Sequence, residues 1–250
     1  GGALIEERPF RAPHQQVSAS GLVGGGAIPA PGEASLAHHG VLFLDELSEF
    51  SRAALEALRQ PLEDGRVAIV RGQRTAIFPT RFMLVAATNP CPCGHAPSRR
   101  CRCGETEMAR HRRRLSGPLL DRIDLLVSVA RPSAEELSAP PRTTSAQARE
   151  RLLAARERQA ARFGDGPCSC NAHMDSRALR EHVALDEQGE ARLRAAYDAG
   201  QLSARGRDRT VRLARTIADL DGCERVEARH VIEAVGFRLE TEAPAHGAAA

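Results

Sequence analysis

A short apolar run that ends in two acids constrains this chain more than any other feature of its sequence. The run is G-V-L-F-L-D-E, from Gly40 to Glu46. Four consecutive apolar residues predict a strand that is buried on both faces, which is typical of a parallel sheet. Ligands of open parallel sheets bind at the carboxyl ends of the strands, where Asp45 and Glu46 would lie. The two acids therefore indicate either a site for a metal ion and a water or a solvated turn.

The overall composition limits the classes of protein to which this chain can belong. Its 250 residues allow one large domain or two smaller ones, and its net charge of +3 means that any basic surface must be local. The sequence contains no lysine, so its 35 basic residues are all arginine. Trp is absent and Tyr occurs once, which argues against a single-strand binder built on stacked aromatic side chains. We find no signal-peptide pattern and no apolar run of about 20 residues, and we therefore expect a cytoplasmic protein without a membrane span.

The residue pattern changes along the chain and predicts two domains of different class. Residues 1–131 alternate strand and helix patterns, which predicts an α/β core with a parallel sheet. Residues 132–145 are rich in Pro, Ser and Thr and are predicted to be a linker. Residues 146–239 show helical spacing only, and residues 240–250 are predicted to be a disordered tail.

Polar groups stand at or near the ends of three predicted apolar strands. Asp45 and Glu46 end the first strand, Asn89 ends the second, and Arg122 precedes a third, predicted in the run L-L-V-S-V. Phosphoryl transfer from a nucleotide needs a carboxylate that holds Mg²⁺, a carboxylate that orients the attacking water, a polar group near the γ-phosphate and a cation that offsets the transition-state charge. The four residues supply these groups, so the sequence indicates a nucleotide site.

At these residues the chain resembles the AAA+ ATPases. G-V-L-F-L-D-E resembles their Walker B strand, A-A-T-N-P their sensor-one segment, and L-L-D-R-I-D their arginine-finger region. Together with R-P-F-R-A-P-H, L-V-G-G-G and N-P-C-P-C-G, these segments are similar to the magnesium-chelatase-like YifB/ComM family over about residues 7–239. The resemblance implies an α/β AAA+ core of the P-loop type followed by a small all-α lid domain.

The resemblance also implies a role for each polar residue in ATP hydrolysis. Asp45 would coordinate Mg²⁺, largely through waters, and Glu46 would polarise the attacking water. Asn89 would help to hold that water or the γ-phosphate. Arg122 would reach the γ-phosphate bound by a neighbouring subunit of a ring, which is usually hexameric in this family.

Two further parts of the ATPase site are implied by the family. An arginine of the helical domain should act as sensor two, and Arg205 is favoured over Arg209, with a solvated arginine at a helix start as the alternative. The phosphate-binding loop G-x-x-x-x-G-K-[ST] cannot occur in a chain without lysine. In the family this loop lies upstream, so we expect an N-terminally truncated core that does not hydrolyse ATP alone; loss of the loop from the protein is the other interpretation.

A predicted β-hairpin from Val67 to Phe78 carries a basic tip. Arg71, Gln73 and Arg74 lie at its turn, and arginine and neutral donors bind backbone phosphates without base specificity. Composition alone favours a solvated turn. In helicases that resemble this chain, such a hairpin points into the central channel and contacts DNA, so the three residues are candidate DNA ligands. The glycine-rich segment from Leu22 to Ile28 is a candidate second channel loop.

Four of the seven cysteines lie close together after the second predicted strand. Cys91, Cys93, Cys101 and Cys103 form two C-x-C pairs, and four thiolates at this spacing could close a tetrahedral Zn²⁺ site with a structural role. The alternative is a loop of reduced cysteines without metal. An odd number of cysteines does not fit a secreted disulfide framework.

The functional interpretation is an ATP-driven motor that acts on branched or single-stranded DNA. The resemblance to ComM-like proteins implies branch migration during natural transformation, with a homo-oligomeric ring as the active unit. Two rival interpretations remain open, a chelatase-like remodeller of a protein partner and a non-catalytic, zinc-stabilised interaction module. Stimulation of ATP hydrolysis by DNA would separate the motor from the remodeller.

Overall fold

The chain divides into two compact units, Gly1–Ile123 and Asp124–Ala250, in a computed structural model of the protein. The structure describes residues 7–72, 74–96, 98–115, 117–166 and 168–239. Gln73 and the predicted tail 240–250 lie outside the described residues. The linker and domain limits given above stay predictions.

Seven strands of the described part lie in the first unit and form three sheets. They are β1 Phe10–Arg11, β2 Gly24–Gly25, β3 Ala30–Pro31, β4 Val41–Leu44, β5 Arg66–Arg71, β6 Arg74–Pro79 and β7 Met83–Ala86. β4 lies between β1 and β7 in a parallel sheet. β2 pairs with β3, and β5 with β6, as antiparallel hairpins. The parallel sheet with its helices confirms the predicted α/β core.

The acid-tipped run forms β4, but its two faces differ in burial. Leu42 and Leu44 have no exposed surface and pack in the core of the unit together with Leu22 and Leu58. Val41 and Phe43 are only half-buried. The prediction of a strand buried on both faces was therefore wrong for one face, because the core cluster of this unit gathers on the side of the two leucines.

The approach of β1 to β4 depends on Gly40. A Cβ added at Gly40 would lie 1.9 Å from the carbonyl oxygen of Pro9, far inside van der Waals contact. The N–H of Val41 donates to the same oxygen at 2.8 Å, which begins the parallel ladder between the two strands. A side chain at this position would therefore separate the edge strand from the centre of the sheet.

The third apolar strand predicted after Arg122 does not form. In the described residues, the run from Leu125 to Val129 pairs with no strand, and the N–H of Leu126 donates instead to the carbonyl of Phe237 at 3.0 Å. Val129 is 90% exposed. An apolar run becomes a strand only when a neighbouring strand supplies hydrogen-bond partners, and this run has none in the part of the chain that is described.

Helices make up the rest of the described regular structure. The first unit contains α1 Ala19–Val23, α2 Glu33–Leu36, α3 Arg52–Ala57, α4 Arg59–Asp64, α5 Glu105–Arg114 and α6 Gly117–Leu120. The second unit contains α7 Ala134–Ser138, α8 Ser145–Phe163, α9 Ser176–His182, α10 Glu187–Asp198, α11 Ala204–Leu220 and α12 Ala228–Leu239. The exposed helix α7 lies within the segment predicted to be a linker. Across the described ranges, every helix is too short or too polar to cross a bilayer.

The four helices α8 to α11 of the second unit begin at residues whose side chains cap the first turn. Thr144, Asp175, Asp186 and Ser203 each accept a hydrogen bond from a backbone N–H two or three residues ahead. Such caps satisfy N–H groups that have no partner within the helix and stabilise it by about 1 kcal/mol each. The C-terminal helical region that the sequence predicts is confirmed.

A charged network lies in the core of the second unit. The carboxylate of Asp219 has no exposed surface and accepts hydrogen bonds from Arg162 at 2.9 and 2.5 Å, from Arg215 at 3.2 and 2.9 Å, and from Asn171 at 2.8 Å. Burial alone would raise the pKa of Asp219. The hydrogen bonds from Arg162 and Asn171 and the charges of both arginines outweigh burial and hold the pKa below its ordinary value.

Candidate functional site

The carboxyl edge of the parallel sheet carries the two acids and the asparagine that the sequence singles out. β4 and β7 end side by side, so Asp45, Glu46 and Asn89 follow neighbouring strand ends. The hydrogen bonds between β4 and β7 continue past the ends of the two strands. The N–H of Ala87 donates to the carbonyl of Leu44 at 3.0 Å, and the carbonyl of Ala87 accepts from the N–H of Leu47 at 2.8 Å. The three candidate residues are therefore held at one edge of the sheet.

The two acids occupy a strained turn and are open to solvent. Glu46 adopts a left-handed backbone conformation, with φ 51° and ψ 48°, which costs a residue other than glycine about 1 kcal/mol or more. The Oδ1 of Asp45 accepts the N–H of Glu46 at 2.9 Å and so fixes the turn. Neither carboxylate forms an ion pair with any described residue. Exposed carboxylate oxygens without a cationic partner are the ligands that Mg²⁺ and its waters require, so these residues fit the implied ion.

Two residues that the sequence analysis missed connect helix α5 to this edge. His111 is 6% exposed, and its Nε2 donates to the carbonyl oxygen of Asn89 at 2.8 Å. Arg114 donates to the carbonyl of Ser48 at 3.1 Å and to the carboxylate of Glu49 at 3.2 Å. Helix α5 is therefore hydrogen-bonded to both the turn after β4 and the segment after β7. A basic run with one histidine was the available signal, but the pattern does not say what the histidine contacts.

Arg122, the candidate arginine finger, makes an ion pair within its own chain. Its guanidinium binds the carboxylate of Glu63 through both Nε, at 3.1 Å, and Nη2, and Nη1 donates to the carbonyl of Pro118 at 2.6 Å. The side chain is 11% exposed. A role at the γ-phosphate of a neighbouring subunit would require Arg122 to leave Glu63.

The two candidate sensor-two arginines lie on α11 of the second unit. Arg205 is exposed in the first turn of this helix. Arg209 lies one turn later, and its Nη1 contacts the Oδ1 of Asp124 at 3.2 Å. Asp124 is the last residue of the L-L-D-R-I-D segment, so Arg209 is already engaged by a motif residue.

The predicted basic hairpin is confirmed as β5 and β6. The antiparallel register runs from Arg66 opposite Pro79 to Arg71 opposite Arg74. Gly72 follows β5 with φ 56°, a left-handed conformation that tight hairpin turns require. Arg71 is exposed next to the turn.

The glycine-rich segment packs against this hairpin. Gly24 has φ 109°, and a Cβ added there would lie 2.6 Å from the Cδ1 of Ile69 in β5. A Cβ added at Gly25 would lie 4.0 Å from the guanidinium of Arg71. The two candidate channel loops are therefore neighbours, and glycine is needed at Gly24 for both its backbone angle and its close contact.

The four candidate zinc ligands converge. The Sγ atoms of Cys91, Cys93 and Cys101 lie 3.4, 3.7 and 3.7 Å from one another, and all four sulfurs, that of Cys103 included, lie within 4.8 Å of each other. Tetrahedral Zn²⁺ with Zn–S bonds of about 2.3 Å places its sulfurs about 3.8 Å apart. The N–H of Ala96 also donates to the Sγ of Cys91 at 3.3 Å. The donor set and its spacing fit a zinc ion.

The thiols of the cluster differ in acidity. Backbone hydrogen bonds from Arg102 and His95 lower the pKa of Cys93 to about 6. A backbone hydrogen bond from Cys93 acts to lower the pKa of Cys103, but hydrogen bonding with the neighbouring sulfurs outweighs it and raises that pKa to about 12. Four sulfurs at this distance cannot all be thiolates without a cation, and a divalent metal ion would supply the missing charge.

Comparison with known proteins agrees with the motifs. Residues 1–137 match the family "Magnesium chelatase, subunit ChlI", and residues 142–238 match "Magnesium chelatase, subunit ChlI C-terminal". The chain is 44% identical over 93% of its length to YifB of Escherichia coli K12 and 45% identical over 93% to competence protein ComM of Haemophilus influenzae. These alignments cover 46% and 45% of the two relatives, so the chain spans about half their length. The chain belongs to the magnesium-chelatase-like AAA+ family that includes YifB and ComM.

Proposed function

We propose that this chain forms the Walker B, sensor and lid portion of an ATP-driven motor. Asp45 holds the waters around Mg²⁺, Glu46 polarises the attacking water, and Asn89 positions that water or the γ-phosphate. The ion, when bound, neutralises charge on the phosphates. The observation that carries the proposal is the strained left-handed turn at Glu46, which presents two unpaired acids at the carboxyl edge of a parallel sheet.

The proposed motor is a cytoplasmic ring, usually hexameric in this family, because one subunit must complete the site of the next. Arg122 would reach the γ-phosphate of a neighbouring subunit once it leaves Glu63, and Arg205 would act as sensor two. The chain contains no lysine for a phosphate-binding loop, so we propose that it does not hydrolyse ATP without the rest of the protein.

The proposed substrate is branched or single-stranded DNA. Arg71, Gln73 and Arg74 would contact its backbone from the hairpin, beside the glycine-rich loop at Gly25. Support comes from the exposed Arg71, from the packing of Gly24 against Ile69 of the hairpin and from the name of the relative ComM, a competence protein. Branch migration during natural transformation is the activity that these features favour.

The proposed zinc ion has a structural role. Cys91, Cys93, Cys101 and Cys103 would hold it and so fix the loop between Asn89 and α5. The ion takes no part in ATP hydrolysis.

The test of the motor is ATP hydrolysis by the whole protein with and without a branched DNA. Glu46→Gln should lower kcat by about 10²–10⁴, since the amide cannot act as a base. Glu181→Gln, an exposed carboxylate on α9 outside the proposed site, is the matched control. Equal activity of the Glu46→Gln and Glu181→Gln variants would refute the role of Glu46.

The response to DNA separates the rival functions. DNA-stimulated hydrolysis supports the motor, and hydrolysis that ignores DNA favours a chelatase-like remodeller of a protein partner. No hydrolysis by the whole protein favours the zinc-stabilised interaction module. For the hairpin, Arg71→Ala with Arg74→Ala should reduce the slope of log K against log salt by about 1.8 on duplex DNA. An unchanged slope would exclude the hairpin as a contact.

A further inference from the structure

The segment that contains the cysteine cluster and α5 concentrates the positive charge of the chain. Seven of its arginines are exposed, and one of them, Arg114, pairs with Glu49; the other six are Arg99, Arg100, Arg102, Arg110, Arg112 and Arg113. Residues 99–113 contain only two acids, so six arginines and two glutamates give a formal charge of +4, compared with +3 for all 250 residues. The remaining chain is therefore slightly negative, and the positive potential is local to this segment.

These six arginines have no acidic partner in the described structure. Arg114 and Arg122, which are close in sequence, do form ion pairs, with Glu49 and Glu63. The two acids within the segment instead lie in the first turn of α5. One of them, Glu107, accepts a hydrogen bond from the backbone N–H of Gly104, the residue before the helix, at 3.0 Å. Neither acid neutralises the six guanidinium groups through a salt bridge.

Stabilisation of helix α5 accounts for only some of these arginines. Arg112 and Arg113 lie in the last turn, where the helix dipole favours cations. Arg99, Arg100 and Arg102 precede the N-terminus of the same helix, where the dipole does not favour cations. These three arginines therefore do not stabilise α5 through its dipole and remain available to an anion outside the chain.

The cysteine cluster holds the backbone beneath these arginines. Arg102 lies between Cys101 and Cys103, and the sulfur of Cys101 is 3.7 Å from both Cys91 and Cys93. At the other end, His111, which lies between Arg110 and Arg112 in sequence, is buried and donates to the carbonyl oxygen of Asn89 at 2.8 Å. A backbone fixed at both ends loses little freedom when its side chains bind a ligand.

We propose that these six residues, here called the arginine surface, bind the backbone phosphates of DNA at a site separate from the β5–β6 hairpin. Guanidinium groups bind phosphate oxygens through paired hydrogen bonds. The segment has no Phe, Tyr or Trp on which a base could stack, so we expect contact with phosphates and not with bases. The proposal adds a second DNA contact to the proposed motor. Fixing of the arginine surface by the cysteine cluster rests on the proposed zinc ion.

The test is binding of the zinc-loaded chain to a DNA duplex of about 30 base pairs at salt concentrations between about 50 and 200 mM. The variant replaces Arg99, Arg100 and Arg102 by Ala. Loss of three phosphate contacts should reduce the slope of log K against log salt by about 2.7. When salt rises from about 50 to about 200 mM, the fold-decrease in the affinity of the variant should therefore be about 40 times smaller than that of the parent. Zinc content and far-UV circular dichroism of the variant should equal those of the parent.

A matched control separates a site from a loss of net charge. It replaces three exposed arginines on helices of the second unit by Ala, namely Arg149, Arg156 and Arg192. A slope that falls in the first variant and not in the control supports the arginine surface. An equal fall in both, or no fall in either, overturns it.

The two proposed DNA contacts can fail independently. If Arg71→Ala with Arg74→Ala leaves the slope unchanged while the arginine-surface variant reduces it, the hairpin is excluded and the arginine surface stands. The reverse result excludes the arginine surface alone. Cys101→Ser, which removes a zinc ligand and keeps every arginine, should weaken binding at low salt; unchanged binding by the zinc-free variant would refute the dependence on the cluster.

Discussion

The sharpest prediction for the stability of the helical unit concerns Asp219. Replacement by Asn keeps the shape of the side chain but removes the only negative charge that faces Arg162 and Arg215 within the network. The side chain of Arg215 is 2% exposed and that of Arg162 is 16% exposed, so water can replace little of the lost carboxylate, least of all at Arg215. The amide would also direct N–H donors at guanidinium donors.

The expected cost follows from this burial. Removing one partner of a buried ion pair leaves an uncompensated charge and destabilises by about 3–5 kcal/mol. Two arginines lose their carboxylate here and keep only neutral acceptors, the Oδ1 of Asn171 for Arg162 and two backbone carbonyls for Arg215. Loss of the charge partner of both places Asp219→Asn at the upper part of that range. Unfolding of the chain in urea, followed by circular dichroism at 222 nm, measures the change. Asp165→Asn, an exposed acid after α8, is the control and should change stability by less than about 0.5 kcal/mol.

The same network predicts a pH dependence with a definite sign. The folded pKa of Asp219 lies below its ordinary value, so its contribution is complete above the unfolded pKa of about 3.9 and is lost as pH falls through the folded pKa. The difference in stability between the parent and Asp219→Asn should therefore be constant from about pH 5 to 7 and shrink in acid below about pH 4. A cost below about 1 kcal/mol at pH 7, or a difference that grows in acid, would refute the reasoning.

Three further predictions concern the first unit. Gly40→Ala should destabilise the chain by about 1–3 kcal/mol because its Cβ would collide with the carbonyl oxygen of Pro9, next to β1, as urea unfolding would show. Cys101→Ser should lower zinc affinity about 100-fold or more, measured by competition with a chelator, whereas Cys223→Ser should leave it unchanged. Arg122→Ala should lower kcat of the whole protein by about 10³ or more, whereas Glu63→Gln, which removes the carboxylate that pairs with Arg122, should retain more than a tenth of the activity.

Local signals accounted for much of the fold. The helices from α8 to α12 lie, to within one residue, in the region 146–239 that shows helical spacing, because apolar spacing and capping side chains act over one or two turns. The β5–β6 hairpin was likewise predictable from two β-favouring runs around Arg71 and Gly72. The run from Leu125 to Val129 has equally good local character but no strand partner in the described residues, and so the prediction of a strand there was wrong.

In the candidate site, too, some features follow from the sequence and others only from the tertiary structure. The sequence alone determined the order of its chemical groups, since the acids, the asparagine and the cysteine pairs are visible as residue types at fixed spacing. Only the tertiary structure decided the left-handed turn at Glu46, the pairing of Arg122 with Glu63, and the hydrogen bond from His111 to Asn89. The physical reason is that local periodicity encodes which face of an element is buried, whereas contacts between residues 20 to 60 positions apart exist only after the chain has packed.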